Sequence, residues 1–333
     1  MKYLKYTVFV ILGFGVIYAV GPKVKHTPSA LLDTEIEIPI QKLDSFIAAK
    51  ESQVLDLKED NQARIIWADS AGTKTEYAVV YLHGFSASQE EGAPVHEDFA
   101  KRYGMNLYLT RLEDHGRRDT NSFQKLTPEN YLQSAEDAID IGKKLGDKVI
   151  VMSCSTGGTL SLVLAAAGEK IHSLILYSPN IAIFDPKSTL LLYPWGKQVS
   201  DLVMGGEHNR IQYTDLAKKY WNSVYHTNSL FTLQSIIETH MTAETFSKIN
   251  IPVFLGYYYK DEANQDNVVS VARMLEMYDQ LGTEPAKKRK VAFPETGHHV
   301  ISSHVISKDI DGVRTESFKF AEEVLGLVPK NIQ

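Results

Sequence analysis

The sequence predicts an α/β fold: a mostly parallel central sheet with helices on both faces and a helical insertion. Three observations predict it. Short apolar runs alternate along the chain with segments of helical spacing. Several of these runs are hydrophobic on successive residues, as strands covered on both faces are. One of them, Val149 to Cys154, passes through Ser155 straight into the helical Thr156-Gly157-Gly158-Thr159-Leu160, with no room for more than a very tight turn. A chain of 333 residues with 44% hydrophobic content can bury a large core, and the predicted strands fit one sheet better than two domains.

The elements follow in order. Tyr77 to Leu82 is an apolar strand that ends in His83-Gly84-Phe85-Ser86, and Met105 to Leu112 is the next, leading into Glu113-Asp114-His115-Gly116. Pro128 to Leu145 has helical spacing, with Tyr131, Ala135, Ala138, Ile139 and Leu145 on its inner face. Val149 to Cys154 is the strand before the tight turn, and Ser173 to Pro179 and Ile251 to Tyr259 are two more. Arg289 to Pro294 closes the series and is followed by Glu295-Thr296-Gly297-His298-His299-Val300-Ile301.

Ser155 stands at the apex of the tight turn. Such a turn forces its apical residue into strained backbone geometry and demands small residues two positions to either side, which here are Ser153 and Gly157. The helix that starts at Thr156 points free N–H groups and the positive end of its dipole at the same place, so an oxyanion forming there would be stabilised. An ordinary strand-to-helix turn with Ser155 as helix cap fits the same residues. Moving the apex to Cys154 would put bulky Met152 at a crowded position, so Cys154 is expected to be a buried structural thiol. A nucleophilic serine needs a base and an acid that orients it, and both residue types follow later strands. The base is His298 or His299. The acid comes from Asp261, Glu262 or Asp266, where Asp261 and Glu262 also suit a solvated turn and Asp266 a helix cap.

His83-Gly84-Phe85, Leu112 to Gly116, Ser153-Cys154-Ser155-Thr156-Gly157-Gly158 and Gly297-His298-His299-Val300-Ile301 together resemble the α/β-hydrolase superfamily, in its branch of esterases, monoacylglycerol lipases and serine aminopeptidase-like enzymes. The resemblance covers Arg64 to Leu327. It departs from the family pattern at Ser153, where glycine is usual, and at Asp114, where relatives have the first glycine of Gly-His-Gly; neither change removes a catalytic group. The resemblance implies Ser155 as nucleophile and the backbone N–H groups of Phe85 and Thr156 as oxyanion donors. His299 is chosen over His298 because a histidine running into Val-Ile resembles the start of the final helix region in relatives. Asp266 is chosen over Asp261 because Asp266-Asn267-Val268-Val269 resembles the Asp-x-Val-Val of the family acid. No cofactor is implied.

A net charge of −6, with no basic stripe, gives no reason to expect nucleic acid, and the single cysteine rules out an internal disulfide. No paired Cys or His pattern suggests a metal. The first residues differ from the rest: after Lys2 and Lys5 comes an uncharged run of fifteen residues, Thr7 to Gly21. This is the layout of a secretory signal or a short membrane anchor over residues 1–22, with Pro22 disfavouring cleavage, and it places the protein at a membrane or in the cell envelope. Residues 23–60, with a helix-like piece around Leu43 to Val54, are expected to connect it to a hydrolase domain at 61–330, with a cap insertion at about 180–250. The cap carries Leu190 to Trp195 and Tyr220 to Tyr225, which suits an apolar substrate group. The expected activity is hydrolysis of a carboxylic ester, either a small molecule or a monoacylglycerol-like lipid. A peptidase would need a cap carboxylate for the substrate ammonium, from Asp201, Glu207, Asp215 or Glu238, and a non-catalytic membrane-tethered binding protein is the remaining alternative.

Overall fold

Seven strands build the central sheet, and the two-residue repeat of their side chains feeds two cores. In chain order they are β1 (Arg64–Ile66), β2 (Thr75–Leu82), β3 (Asn106–Leu109), β4 (Gly146–Cys154), β5 (Ser173–Tyr177), β6 (Val253–Tyr257) and β7 (Lys288–Ala292). They lie in the order β1-β3-β2-β4-β5-β6-β7, with β1 antiparallel to β3 and every other neighbouring pair parallel. This computed structural model describes residues 6, 12–13, 15–23 and 36–330. The expected N-terminal anchor or signal falls partly outside the described residues, and no helix among the described residues is long and apolar enough to cross a membrane.

Along β2, Ala78, Val80 and Leu82 enter one core while Val79 and Tyr81 enter the other. Along β4, Val149 and Val151 part in the same way from Ile150, Met152 and Cys154. That is why these strands read as unbroken apolar runs. The helices are α1 (Leu43–Ser52), α2 (Val95–Tyr103), α3 (Pro128–Leu145), α4 (Thr156–Ala167), α5 (Gly196–Met204), α6 (Ala217–Tyr220), α7 (Asn228–His240), α8 (Ala243–Ser247), α9 (Val271–Gln280) and α10 (Ile310–Glu323). Residues of α1, α3, α4 and α9 cover the first core, and Val95 and Phe99 of α2 with Val313 and Phe320 of α10 cover the second.

Helix α3 has the predicted ends and the predicted inner face, all five residues being buried. Its start is set by local chemistry: the Thr127 hydroxyl accepts the Asn130 N–H, the Asn130 side chain accepts the Thr127 N–H, and Pro128 needs no donor there. Two features differ from the expectation. Strand β1 has only three residues at a sheet edge, too few for a periodic signal. Helix α1, within the segment expected to connect, buries Leu43 and Ile47 in the first core, and its Glu51 accepts two guanidinium bonds from Arg111, at 2.7 and 3.1 Å.

The chain between β5 and β6 forms the insertion, with α5 to α8 and a short two-stranded ribbon of His208–Arg210 and Val224–His226. Its ties to the rest of the domain include one to the loop after β2 and one to the loop after β6. Asn222 donates its N–H to the Ser86 carbonyl after β2, and Ile183 forms a β-bridge with Val269 after β6.

Candidate active site

Ser155 lies between the end of β4 and the first turn of α4, with φ 52° and ψ −120°. A non-glycine residue keeps such a conformation only where its surroundings dictate it. Here the Ser155 N–H donates to the Tyr177 carbonyl of β5 and the Ser155 carbonyl accepts from Gly158, Thr159 and Asn180. The turn also presses against the end of β2: a Cβ on Gly157 would sit 2.0 Å from the Leu82 carbonyl oxygen, so only glycine allows this approach. Ser153, at the other crowded position, is fully buried. The Ser155 hydroxyl makes no capping bond to α4, which removes the helix-cap reading.

The candidate base and acid lie in the loops after β7 and β6. The Nδ1 of His299 donates to Asp266 Oδ2 at 2.5 Å, and both side chains are buried. Asp266 Oδ1 accepts the N–H groups of Val268 and Val269 at 2.9 and 3.0 Å, which fixes the carboxylate plane. Burial pushes the Asp266 carboxyl up, but the His299 charge and these donors outweigh it and hold the group below the usual aspartate range. Burial pushes His299 down, while Asp266 first and Glu91 after it raise the imidazole above its ordinary value. The remaining ring nitrogen, Nε2, is buried and has no hydrogen-bond partner among the described residues. An imidazole held by its Nδ1–H presents a proton acceptor at Nε2.

The rival residues lie elsewhere. Asp261 is exposed and caps its own turn through the N–H groups of Ala263 and Asn264, and exposed Glu262 accepts from the Tyr259 hydroxyl and the Gln265 amide. His298 is exposed, its Nδ1 accepting the Val300 N–H. Cys154 is buried, with burial pushing its thiol well above the ordinary range, the opposite of an activated thiolate.

Around the turn, the N–H groups of Phe85 and Thr156 donate no backbone hydrogen bond among the described residues. The Phe85 ring packs edge-on against Tyr225 of the insertion, 5.2 Å between centroids, and against Phe123 at 5.1 Å. Of the two aromatic stretches in the insertion, Trp221 and Tyr225 are therefore the buried pair beside the β2 loop, whereas Leu190, Tyr193 and Trp195 are exposed.

No family model and no curated protein matches the sequence. Solved structures do. One of the two metagenome-derived lipolytic enzymes LipS and LipT matches with a TM-score of 0.64 at 16% identity, over 79% of this chain and 98% of that one. The monoacylglycerol lipase of Paleococcus ferrophilus matches at 0.56 and 14% identity, over 78% and 96% of the two chains. Est1E of Butyrivibrio proteoclasticus, solved with ferulic acid bound, matches at 0.54 and 16%, over 80% and 95%. The fold is that of the α/β-hydrolases. On this fold, Ser155 stands after β4, Asp266 after β6 and His299 after β7, each at the carboxyl end of a parallel strand.

One residue of the site was not anticipated from the sequence. Glu91, in the single-turn helix Gln89–Gly92 that follows the β2 loop, is buried, and its carboxylate accepts the Gly84 N–H at 2.5 Å. Within Ser88-Gln89-Glu90-Glu91 it resembles a solvated charged turn, and nothing local in the sequence marks it as turning inward.

Proposed function

We propose that this chain is a serine hydrolase that cleaves carboxylic esters of an apolar acyl group through an acyl-Ser155 intermediate. The observation that carries the reading is the strained Ser155 turn in a chain whose only buried Asp–His pair, among the described residues, leaves its Nε2 unoccupied. His299 takes the Ser155 proton as Oγ bonds to the ester carbonyl carbon. The N–H groups of Phe85 and Thr156 receive the oxyanion, each worth about 3 kcal/mol at the transition state. Collapse expels the alcohol, protonated by His299. Water then attacks the acyl-serine, giving its proton to His299, and the carboxylic acid leaves with Ser155 restored. Asp266 holds the imidazole and offsets the charge it acquires.

An apolar cavity of about 460 Å³ in the insertion, lined by Leu190, Leu191, Val199, Val203, Leu230 and Leu233, supports an acyl or alkyl substrate group. Its inner wall includes Ile183, which pairs with Val269 of the Asp266 loop. The neighbours named as lipolytic enzymes and as a monoacylglycerol lipase favour the same substrate class. The cap carboxylates a peptidase would need are engaged: Asp201 and Glu207 by Lys197, Asp215 by Lys218, and Glu238 by the Gln234 amide.

The proposal includes a lipid surface as the place of reaction, at a membrane or in the cell envelope. Val199, Leu202 and Val203 form an exposed apolar face on α5. The adjacent Trp195 donates its backbone N–H to the Pro22 carbonyl and its indole N–H to the Ile17 carbonyl, which joins that face to the described part, residues 15–22, of the apolar N-terminal segment. Labelling of the full chain with a fluorophosphonate, beside turnover of p-nitrophenyl esters of rising chain length, tests the reading. Labelling that disappears in Ser155→Ala supports it; folded wild-type protein that is not labelled overturns it in favour of a binding protein.

A further inference from the structure

We infer that Glu91 is a positioning residue of this site: its buried carboxyl holds the oxyanion loop at Gly84, the backbone of its turn is bonded to the loop that carries His299, and its charge sets how readily His299 accepts the serine proton. The inference rests on the acyl-serine reading above.

The geometry runs in both directions from the Gln89–Gly92 turn. On one side the carboxylate holds the Gly84 N–H. A Cβ on Gly84 would lie 2.8 and 3.0 Å from the two Glu91 carboxylate oxygens and 3.0 Å from Ser155 Cβ, so no side chain separates the carboxyl from the nucleophile's turn. On the other side the turn's backbone is bonded to the residues just after His299. Ser302 Oγ donates to the Glu91 carbonyl at 3.0 Å, Ser303 Oγ to the Glu90 carbonyl at 2.9 Å, and the His304 N–H to the Ala93 carbonyl at 2.9 Å. Displacing this turn would move the oxyanion donor and the base together.

The groups facing Glu91 are Tyr81 from β2, Cys154 from β4 and His299, with Tyr131 of α3 and Tyr213 of the insertion also within its field. On its own turn, Glu90 faces His304. Among the groups facing the Glu91 carboxyl only His299 can carry a positive charge near neutrality, and Asp266 is the other carboxylate acting on it. Burial pushes the Glu91 carboxyl up to about 7, only partly offset by the Gly84 N–H and then by His299. Ionised Glu91 favours imidazolium, the form that cannot take the Ser155 proton. Protonated Glu91 still accepts the Gly84 N–H through its carbonyl oxygen and leaves His299 free to act as base.

Glu91→Gln keeps that acceptor and deletes the charge. Measured on a p-nitrophenyl ester, its acidic limb moves to lower pH, and the ratio of kcat/KM at about pH 6 to that at about pH 8 rises about threefold. Glu91→Leu deletes the acceptor as well, and its kcat falls about tenfold with KM little changed. Ser302→Ala, which cuts the tie to the His299 loop and leaves the carboxyl intact, lowers kcat severalfold without moving the limb. In a Ser155→Ala background, difference infrared titration shows a carboxylic acid band near neutrality that Glu91→Gln removes, whatever the protein hydrolyses. An unmoved acidic limb in Glu91→Gln, no loss of that band, or wild-type kcat in Ser302→Ala overturns the inference. Absence of fluorophosphonate labelling in wild-type protein, with the band present, overturns the serine reading instead.

Discussion

Asp266 and Glu91 are two carboxyls with 0% and 2% of their surface exposed, and both interact with His299, yet they are pushed in opposite directions. Asp266 accepts from two backbone N–H groups and from the imidazole, and it is held ionised. Glu91 has a single backbone donor and is pushed up to about 7. The difference teaches that burial alone does not set the charge of a carboxyl. The partners that meet it decide it: for Asp266 the His299 imidazole first, and then the N–H groups of Val268 and Val269, which wrap back over the side chain.

The comparison can be broken at its centre first. Ser155→Ala removes the group both carboxyls serve, and the rate on an ester substrate falls about a million-fold, read as loss of turnover and of fluorophosphonate labelling. Asp266→Asn keeps the shape of the ionised carboxyl and loses its charge, and kcat falls about ten-thousand-fold because the imidazole loses the acceptor that fixes its tautomer. Glu91→Gln, the matching change on the other side, costs far less and moves only the pH profile. A loss as large as that of Asp266→Asn would show that Glu91 also acts on the imidazole as an ionised carboxylate.

Stability across pH sharpens the same contrast. Asp266 is depressed in the folded state, so its contribution is present above its unfolded value and is lost as pH falls through the folded one. Glu91 is raised from 4.5 to about 7, so its contribution is present in acid and is lost as pH rises through that interval. Melting curves of Glu91→Gln therefore gain on wild type between those values, and Asp266→Asn shows no such gain. Gly157→Ala tests the platform under both: its Cβ meets the Leu82 carbonyl, and stability falls by about 3 kcal/mol in denaturant titration. The smallest effect belongs to the surface far from either carboxyl. Replacing Leu202 of α5, which lies outside the apolar cavity, by serine weakens flotation with phospholipid vesicles about threefold, while hydrolysis of a soluble short-chain ester stays unchanged.

Much of this molecule was legible because its signals are local. The bounds of α3 follow from Thr127, Pro128 and Asn130 and from the spacing of five buried residues. The turn at Ser155 follows from small residues around one position, and a strand buried on both faces announces itself by an unbroken apolar run such as Val149 to Met152. Strand β1 and the burial of α1 were not legible, since three edge residues carry no period and a helix of mixed polarity does not state what it packs on.

By itself the sequence determined the α/β class, the order of the sheet elements after the first, the position of Ser155 and short lists for its base and acid. The family resemblance chose His299 and Asp266 from those lists, and the tertiary structure supplies the contact between them. Adjacent side chains in a loop diverge, and which of His298 and His299 turns inward depends on the carboxylate that meets it from a loop thirty-three residues away. Glu91 belongs wholly to the tertiary level. Its identity is that of any surface glutamate, and it becomes part of the site because the turn after β2 is bonded to the loop after β7, a meeting of two strand ends that no local pattern encodes.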